Sequence, residues 1–479
     1  MNKYGSNIQI IPKTLDIKTF ILLIISVIAM FLFRSIWTAP IEFGGDAVRK
    51  FFFAAEIVRT GDWTILLQNH HTMRWSILLP QTFITWVVGT RYEVYYILPL
   101  LSFALYFVII LYALKDHLNT SQKILLGALL FVDPLSFRDS SQLLTNGPGI
   151  FFAISACYML STYSSRGHLA IVSAAFLFFC SYGAHATYVS FAVGGFIWLV
   201  FIQREWKPAL IFAGTLIGLL IIECLYFNYL SDWDLTFGRI EALFFGKHLK
   251  GVPGVGRYTV TFSQLFTRWG QLPAINILLC MIFFISTLVF ISLKKKPVLP
   301  KFVSCAYVVG LCFALFVTFA VVSIDPLNPV QRLLPRYLTP FLPFLIIVSI
   351  YSISLITIPN RKVWDIRMEI LAGLLMFTIL AVPQAFDHSG TRPIIKIRPS
   401  AVFWIAEREY SNFADEYSKG SLIIKGSKRR VLKMIALFKR SGEERSRANG
   451  QSTAKNKAPV KCVSRLVRIP LSLNYHKCK

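Results

Sequence analysis

The stretch IEFGGDAVRKFFFAAEI, residues 41–57, follows an apolar run at 18–37 that is long enough to cross a lipid bilayer. It places Asp46 behind two glycines, which let the chain turn sharply where it leaves the membrane. After Asp46, apolar residues recur at helical spacing, and charged residues occupy the other positions around the helix: the apolar set is Val48, Phe51, Phe52, Ala55 and Val58, and the charged set is Arg49, Lys50, Glu56 and Arg59. The pattern predicts an amphipathic interfacial helix that begins at Asp46. The alternative for Asp46 is a carboxylate at a plain helix boundary, where water still reaches it.

The composition excludes an ordinary soluble domain. Of the 479 residues, 55% are hydrophobic and only 15% are charged, and the mean hydropathy is +0.58. Windows of roughly 20 apolar residues recur about eleven times, which predicts an all-α polytopic membrane protein. The predicted spans are 18–37, 94–114, 123–137, 147–163, 168–183, 185–203, 208–227, 274–293, 302–323, 337–358 and 366–385.

Basic residues near span ends predict the orientation, because Lys and Arg in short loops stay on the cytoplasmic side. Lys3, Lys13 and Lys18 place the N-terminus there, and five later basic loops agree with the same count of spans. The opposite, extracytoplasmic side then holds the loops 38–93, 138–146, 228–273 and 324–336, the short turn near 184, and everything after 385.

Three regions follow from this organisation: a multi-span domain at 1–385, a small extracytoplasmic segment at 386–424, and a basic tail at 425–479. The tail has 16 Lys and Arg against 2 Glu and lacks a hydrophobic period, which is typical of a solvated, disordered segment. The topology places it on the wrong side for nucleic acid.

The second outer loop brings carboxylates to the outer end of the third span. The stretch DPLSFRDSSQLLTNGPG, residues 133–149, runs from the end of that span through the loop and holds Asp133, Arg138 and Asp139. Asp139 can form a carboxylate pair with Asp46 across a site, whereas a capped turn explains Asp133 at least as well.

The loop before the tenth span carries two arginines one helical turn apart, Arg332 and Arg336. Guanidinium groups at this spacing can point together at a phosphate at the membrane surface. The alternative is a plain anchor for lipid headgroups.

Other residues of the outer loops are candidate substrate contacts. His70, His71 and Arg74 precede an apolar segment of 14 residues that is too short to span, which predicts an interfacial or re-entrant helix. Lys247 and Arg257 make the loop 228–273 basic and suited to an anionic substrate, although a flexible solvated loop explains them as well. No metal-ligand spacing is present, so no metal site is predicted and a divalent cation stays open.

The arrangement resembles the GT-C glycosyltransferases, nearest to the protein O-mannosyltransferase and lipid A aminoarabinose transferase group. The resemblance covers residues 18 to 385 and rests on three features: an aspartate in a first outer loop of interfacial helices, an acidic residue in the next outer loop, and the element RYLTPFLP at 336–343. GGDA stands where the mannosyltransferases have an Asp-Glu pair, and HHTMRW replaces the usual residues before prolines, which leaves the sugar and the metal dependence open.

The resemblance implies transfer of a sugar from a polyprenyl-phosphate donor to a hydroxyl of a cell-envelope acceptor, in a bacterial inner membrane with the site facing outward. Asp46 would be the base, and Arg332 with Arg336 would hold the donor phosphate. The alternatives are an O-antigen polymerase or ligase, in which Asp46 has no role, and a transporter, which would show matching halves with charges at mid-membrane depth.

Overall fold

The structure is a computed structural model that describes residues 17–38, 46–67, 73–90, 94–230, 260–292, 299–324, 327–329, 334–355 and 398–399. These residues are nearly all helical, as predicted. The helices are α1 Ile17–Ile36, α2 Asp46–Thr60, α3 Trp75–Val88, α4 Val94–Ala113, α5 Thr120–Val132, α6 Pro134–Asp139, α7 Asn146–Ser161, α8 Tyr163–Arg166, α9 His168–Ala184, α10 Val189–Ile197, α11 Trp206–Leu230, α12 Thr267–Gly270, α13 Ala274–Ser292, α14 Lys301–Phe319 and α15 Leu342–Ser354. Shorter turns of helix, 3₁₀ except for the π-helical Trp198–Gln203, cover Trp63–Leu67, Ala186–Tyr188, Trp198–Gln203, Ser263–Phe266 and Pro335–Phe341.

Each predicted span up to residue 358 overlaps a helix or a chain of helices, although the span 302–323 ends in the strand Val321–Ile324. Residues 293 and 356–358 and the span 366–385 lie outside the described residues. Six helices of the described part are long and apolar enough to cross a membrane, or up to seven if the bent pair Ser263–Gly270 and Ala274–Leu288 counts as one span. The predicted number of about eleven is therefore not confirmed.

The predicted span 123–137 breaks in two, because its sequence contains Asp133-Pro134. Pro134 has no N–H to donate, and the residue before a proline avoids helical backbone. Asp133 accordingly has φ −52° and ψ 117°, which ends α5 and starts α6 in a new direction.

The two helices predicted for the first outer loop are present as α2 and α3, and they pack against each other. The apolar face of α2 is buried inside the protein, and Phe51 lies edge-on to Tyr95 of α4 with ring centroids 5.9 Å apart. Lys50, expected on the polar side of this helix, is fully buried.

Helix α7 lies at the centre of the bundle and packs against α4, α9 and α14. Helix α10 packs on α14, and α15 joins α13, α14 and α5 into the same core. Helices α1 and α11 lie at the periphery, with most of their apolar surface exposed as expected for helices facing lipid.

Four short strands of the described residues form two antiparallel pairs. β2 (Val321–Ile324) and β3 (Leu327–Pro329) make a hairpin in the predicted outer loop before the tenth span. β1 (Trp37–Thr38) pairs with β4 (Arg398–Pro399). Arg398 and Pro399 therefore lie next to the end of α1.

Candidate active site

The second outer loop is folded tightly around its carboxylates. Asp139, the last residue of α6, is 3% exposed, and the amide Nδ2 of Asn146 donates a hydrogen bond to its Oδ2 atom. The turn between Asp139 and Asn146 also accepts hydrogen bonds from two buried side chains, Arg34 and Lys50. Asp139 is thereby fixed at the start of α7.

Asp133 has a structural role. Its Oδ2 atom accepts a hydrogen bond from the Ser136 backbone N–H at 2.7 Å, which caps α6, and its Oδ1 atom accepts one from Asn276 Nδ2 at 2.8 Å. The side chain therefore ties α6 to the start of α13. Of the two explanations considered for Asp133, these contacts favour the capped turn.

Asn146 joins three parts of the chain. Besides Asp139, its Nδ2 atom reaches the backbone carbonyl of Arg336 at 3.5 Å, and its Oδ1 atom accepts a hydrogen bond from the Tyr188 hydroxyl at 2.6 Å. The second outer loop, the turn between α9 and α10, and the loop before α15 consequently meet at one amide group.

Tyr188 is locked into this position by its surroundings. A Cβ atom at Gly149 would lie 2.2 Å from Tyr188 Cε2, so only glycine lets the ring lie over the first turn of α7. The half-buried His185 lies beside it with ring centroids 5.4 Å apart, and the His185 Nδ1 atom is 2.7 Å from Thr187 Oγ1.

The Arg336 side chain lies against its neighbour in the sequence. Its guanidinium carbon is 5.2 Å from the centre of the Tyr337 ring, and Nη2 donates to the Tyr337 hydroxyl at 3.3 Å. Arg74 is close enough to the Tyr188 hydroxyl to interact with it electrostatically. Arg268 is fully buried and donates a hydrogen bond to the Val317 carbonyl at 2.8 Å. The site thus combines a held carboxylate with cations, a pattern suited to an anionic substrate.

Two buried cations support the turn between Asp139 and Asn146. Arg34 donates to the Ser140 hydroxyl at 2.6 Å and 3.1 Å, and its guanidinium carbon lies 5.6 Å and 5.5 Å from the rings of Phe103 and Phe131. Lys50 of α2 donates to the Leu143 carbonyl at 3.3 Å. The first and second outer loops are thus joined directly.

The sequence analysis did not single out Arg34, Lys50, Asn146 or Tyr188 as functional. An arginine within an apolar span is costly, so the position of Arg34 was a usable signal. Asn146 and Tyr188 carry no such signal, because their roles arise from a contact between residues 42 positions apart.

The predicted residues divide into two groups. The structure brings Asp139, Arg336 and Arg74 to one end of the bundle, and it places Asp46 at the start of α2, although the Asp46 side chain lies outside what is described. The remaining predicted residues lie outside the described part of the chain: His70, His71, Lys247, Arg257 and Arg332. Within the described part, no group of three or more His, Cys, Asp or Glu side chains comes together as a metal site.

The fold is similar to that of a known protein. The crystal structure of ArnT from Cupriavidus metallidurans bound to undecaprenyl phosphate matches with a TM-score of 0.53 and 12% sequence identity, over 87% of this chain and 71% of that one. No protein-family model matches the sequence, and no curated protein sequence matches it. The match shows a fold similar to that of ArnT, and together with the apolar helices of the described part it indicates an integral membrane protein.

Proposed function

We propose that this chain is an integral membrane glycosyltransferase that moves a sugar from a polyprenyl-phosphate donor to a hydroxyl of a cell-envelope acceptor. The site faces the extracytoplasmic side, and the membrane is the bacterial inner membrane. The observation that carries the proposal is the convergence of three outer segments on Asn146, with the first outer loop joined to them through Lys50. The fold shared with a protein that binds undecaprenyl phosphate supports the choice of donor.

The residues suit the reaction. The acceptor oxygen attacks the anomeric carbon, the bond from that carbon to the phosphate oxygen breaks, and polyprenyl phosphate leaves. Asp46 takes the proton from the acceptor hydroxyl, and Asp139 offers a second carboxylate to the positively charged sugar of the transition state. Arg332 and Arg336 stabilise the departing phosphate.

The other predicted residues serve binding. Arg74 extends the positive charge around the donor, since it lies within electrostatic range of Tyr188 beside the Asp139–Asn146 pair. His70, His71, Lys247 and Arg257 contact the sugar or the phosphate from the first and fourth outer loops. Residues 1–385 form the catalytic domain, and residues 386–424 form a small outer segment that pairs with β1 through Arg398–Pro399. The tail 425–479 is strongly basic in sequence and lies outside the described residues.

The test is donor turnover by the purified full-length protein in detergent. A panel of radiolabelled polyprenyl-phosphate sugars is offered with mixed envelope acceptors, and released polyprenyl phosphate and labelled acceptor are measured together. The proposal predicts that both products appear in equal amounts for one donor and stay absent with heat-inactivated protein.

Two results would contradict the proposal. Movement of intact donor across reconstituted vesicles, with no polyprenyl phosphate released, would identify a transporter. Growth of long polymer from lipid diphosphate-linked oligosaccharides, with polyprenyl-phosphate monosaccharides left unused, would identify an O-antigen polymerase or ligase.

A further inference from the structure

The reaction described above does not use Glu223, a carboxylate within the apolar helix α11. The Glu223 Oε1 atom accepts a hydrogen bond of 2.6 Å from the indole Nε1 of Trp75, and the residue is 9% exposed. Helix α11 lies at the edge of the bundle, and neighbouring residues of the same turn, Ile222 and Leu225, are each 63% exposed. An acid buried inside such a span is costly, so we expect it to have a function.

Trp75 is one of the points at which the first outer loop is fixed to the bundle. It is the first residue of α3, and its ring packs on Phe179 of α9 with centroids 5.1 Å apart. A Cβ atom at Gly183 would lie 2.7 Å from two atoms of the indole, so α3 is pressed against α9 at this glycine. Met73 packs with Phe227 of α11 beside the same ring.

The residue that immediately precedes Trp75 is Arg74, the candidate donor contact. The Arg74 carbonyl accepts hydrogen bonds from the Ile77 and Leu78 backbone N–H groups, both at 3.0 Å, and so begins α3. The Arg74 backbone therefore follows any rotation or shift of the first turn of α3. Within that turn, Trp75 forms the hydrogen bond to Glu223.

We propose that Glu223 is a positioning residue for the transferase: through Trp75 it sets the first turn of α3 so that Arg74 lies at the donor site. The inference rests on the proposed function. Glu223 does not touch the substrate, and its effect is on donor affinity rather than on the chemical step.

Five full-length variants test this in detergent, with titration of undecaprenyl phosphate and with donor turnover. Trp75→Phe removes the indole N–H and keeps a ring, Glu223→Leu removes the acceptor, and Glu223→Gln keeps an amide oxygen that can accept the same bond. Arg74→Gln removes the cation, and Leu225→Ala is the matched control on the lipid-facing side of the same turn.

Losing one hydrogen bond changes an equilibrium constant by about tenfold, so losing the bond between Trp75 and Glu223 should weaken donor binding by about that factor. We expect Trp75→Phe and Glu223→Leu each to raise the Kd for undecaprenyl phosphate and the donor KM by about tenfold, with kcat within about twofold of wild type. Glu223→Gln should recover most of the affinity. In the Arg74→Gln background, Trp75→Phe should have no further effect, because the residue that it positions is gone.

Unchanged Kd and KM in Trp75→Phe, with an active wild type, would overturn the inference and leave the proposed function standing. A fall in kcat or in melting temperature with unchanged KM would also overturn it, because that is the result of a purely structural contact. If Trp75→Phe lowers the donor affinity by the same factor with Arg74 present and in the Arg74→Gln background, the link to Arg74 is contradicted. A folded wild type that neither binds undecaprenyl phosphate nor consumes any donor would remove the proposed function and the inference together. If Glu223→Leu does not fold, Trp75→Phe and Glu223→Gln still decide between these outcomes.

Discussion

At the scale of single residues, the site depends on one amide. Asn146 has two donor hydrogens and one acceptor oxygen in use, toward Asp139, the Arg336 carbonyl and the Tyr188 hydroxyl. Because this one amide forms hydrogen bonds to two loops and to a buried phenol, it fixes their positions relative to one another. Only Gln also carries two N–H donors and a carbonyl acceptor on one group, and it is one methylene longer.

Replacing Asn146 should therefore cost more than removing one of its partners. Asn146→Ala frees the Asp139 carboxylate and the Arg336 loop together, and we expect kcat to fall by about 100-fold, the size of a misplaced catalytic group. Tyr188→Phe removes one donor only and should lower kcat by less than about tenfold. Donor consumption by the two purified variants measures this, and equal activities for Asn146→Ala and Tyr188→Phe would contradict it.

Gly149 allows a direct prediction of stability. Because a Cβ atom there would meet the Tyr188 ring at 2.2 Å, Gly149→Ala should lower the free energy of unfolding by about 1–3 kcal/mol. Gly218 of α11 is the matched control, since nothing lies within 4 Å of its missing Cβ and alanine favours a helix by up to about 1 kcal/mol. Thermal unfolding in detergent should show a lower midpoint for Gly149→Ala and an equal or higher one for Gly218→Ala. The reverse order would be inconsistent with the packing described.

The residue types of the site were only partly predictable. Asp139 and Arg336 were accessible from the sequence because charged residues near span ends stand out against apolar surroundings. Asn146 lies in TNGPG, which is typical of a turn and gives no hint of a contact with the α9–α10 region. Tyr188 is one of 19 tyrosines, and only tertiary packing distinguishes it.

At the scale of elements, the hydrophobic period of residues 46–59 predicted α2 correctly, and the structure has it as Asp46–Thr60. The period also placed Lys50 on the polar side, and here the prediction was wrong. The long side chain of lysine can reach past an apolar surface and place its charged end on a carbonyl. A helical wheel, which plots only residue types, does not show this reach. The end of α5 at Asp133-Pro134 was also predictable from the local sequence. The predicted span 123–137 nevertheless ran across it, because the apolar window continues past the proline.

The Lys50 contact should fix α2 on the second outer loop. Lys50→Met keeps most of the apolar stem, removes the donor to the Leu143 carbonyl, and should cost about 1–3 kcal/mol of unfolding free energy. Arg59→Met, at the exposed end of the same helix, removes a surface pair with Glu56 and should cost about 0–1 kcal/mol. Chemical denaturation of the two variants compares these losses, and an equal or larger loss for Arg59→Met would refute the role given to Lys50.

At the scale of the whole molecule, the apolar windows and the topology predicted a polytopic helical protein, and the described residues are nearly all helical with a fold similar to that of ArnT. The number of spans could not be predicted from the sequence. Short helices such as α9 and broken ones such as the segment before α15 do not follow a fixed length. The pairing of β1 with β4 was also out of reach, since it joins residues at opposite ends of the sequence through backbone hydrogen bonds.

The predicted orientation is open to a labelling experiment. Asp62, after α2, and Lys207, at the start of α11, are both exposed and lie on opposite sides in the predicted topology. With the native cysteines replaced, Asp62→Cys should react with a membrane-impermeant maleimide in intact spheroplasts, and Lys207→Cys should react only after permeabilisation. The opposite pattern would invert the molecule and place the site in the cytoplasm.

The measurement that decides the central claim is donor turnover by Asp46→Asn beside Asp62→Asn. Both variants remove one carboxylate from the first outer loop, but only Asp46 is assigned as the base. A general base contributes about 100- to 10,000-fold in rate, so Asp46→Asn should lose at least about 100-fold of the wild-type release of polyprenyl phosphate. Asp62→Asn, which changes an exposed turn, should stay within about twofold of wild type. Wild-type turnover in a folded Asp46→Asn protein would contradict the account.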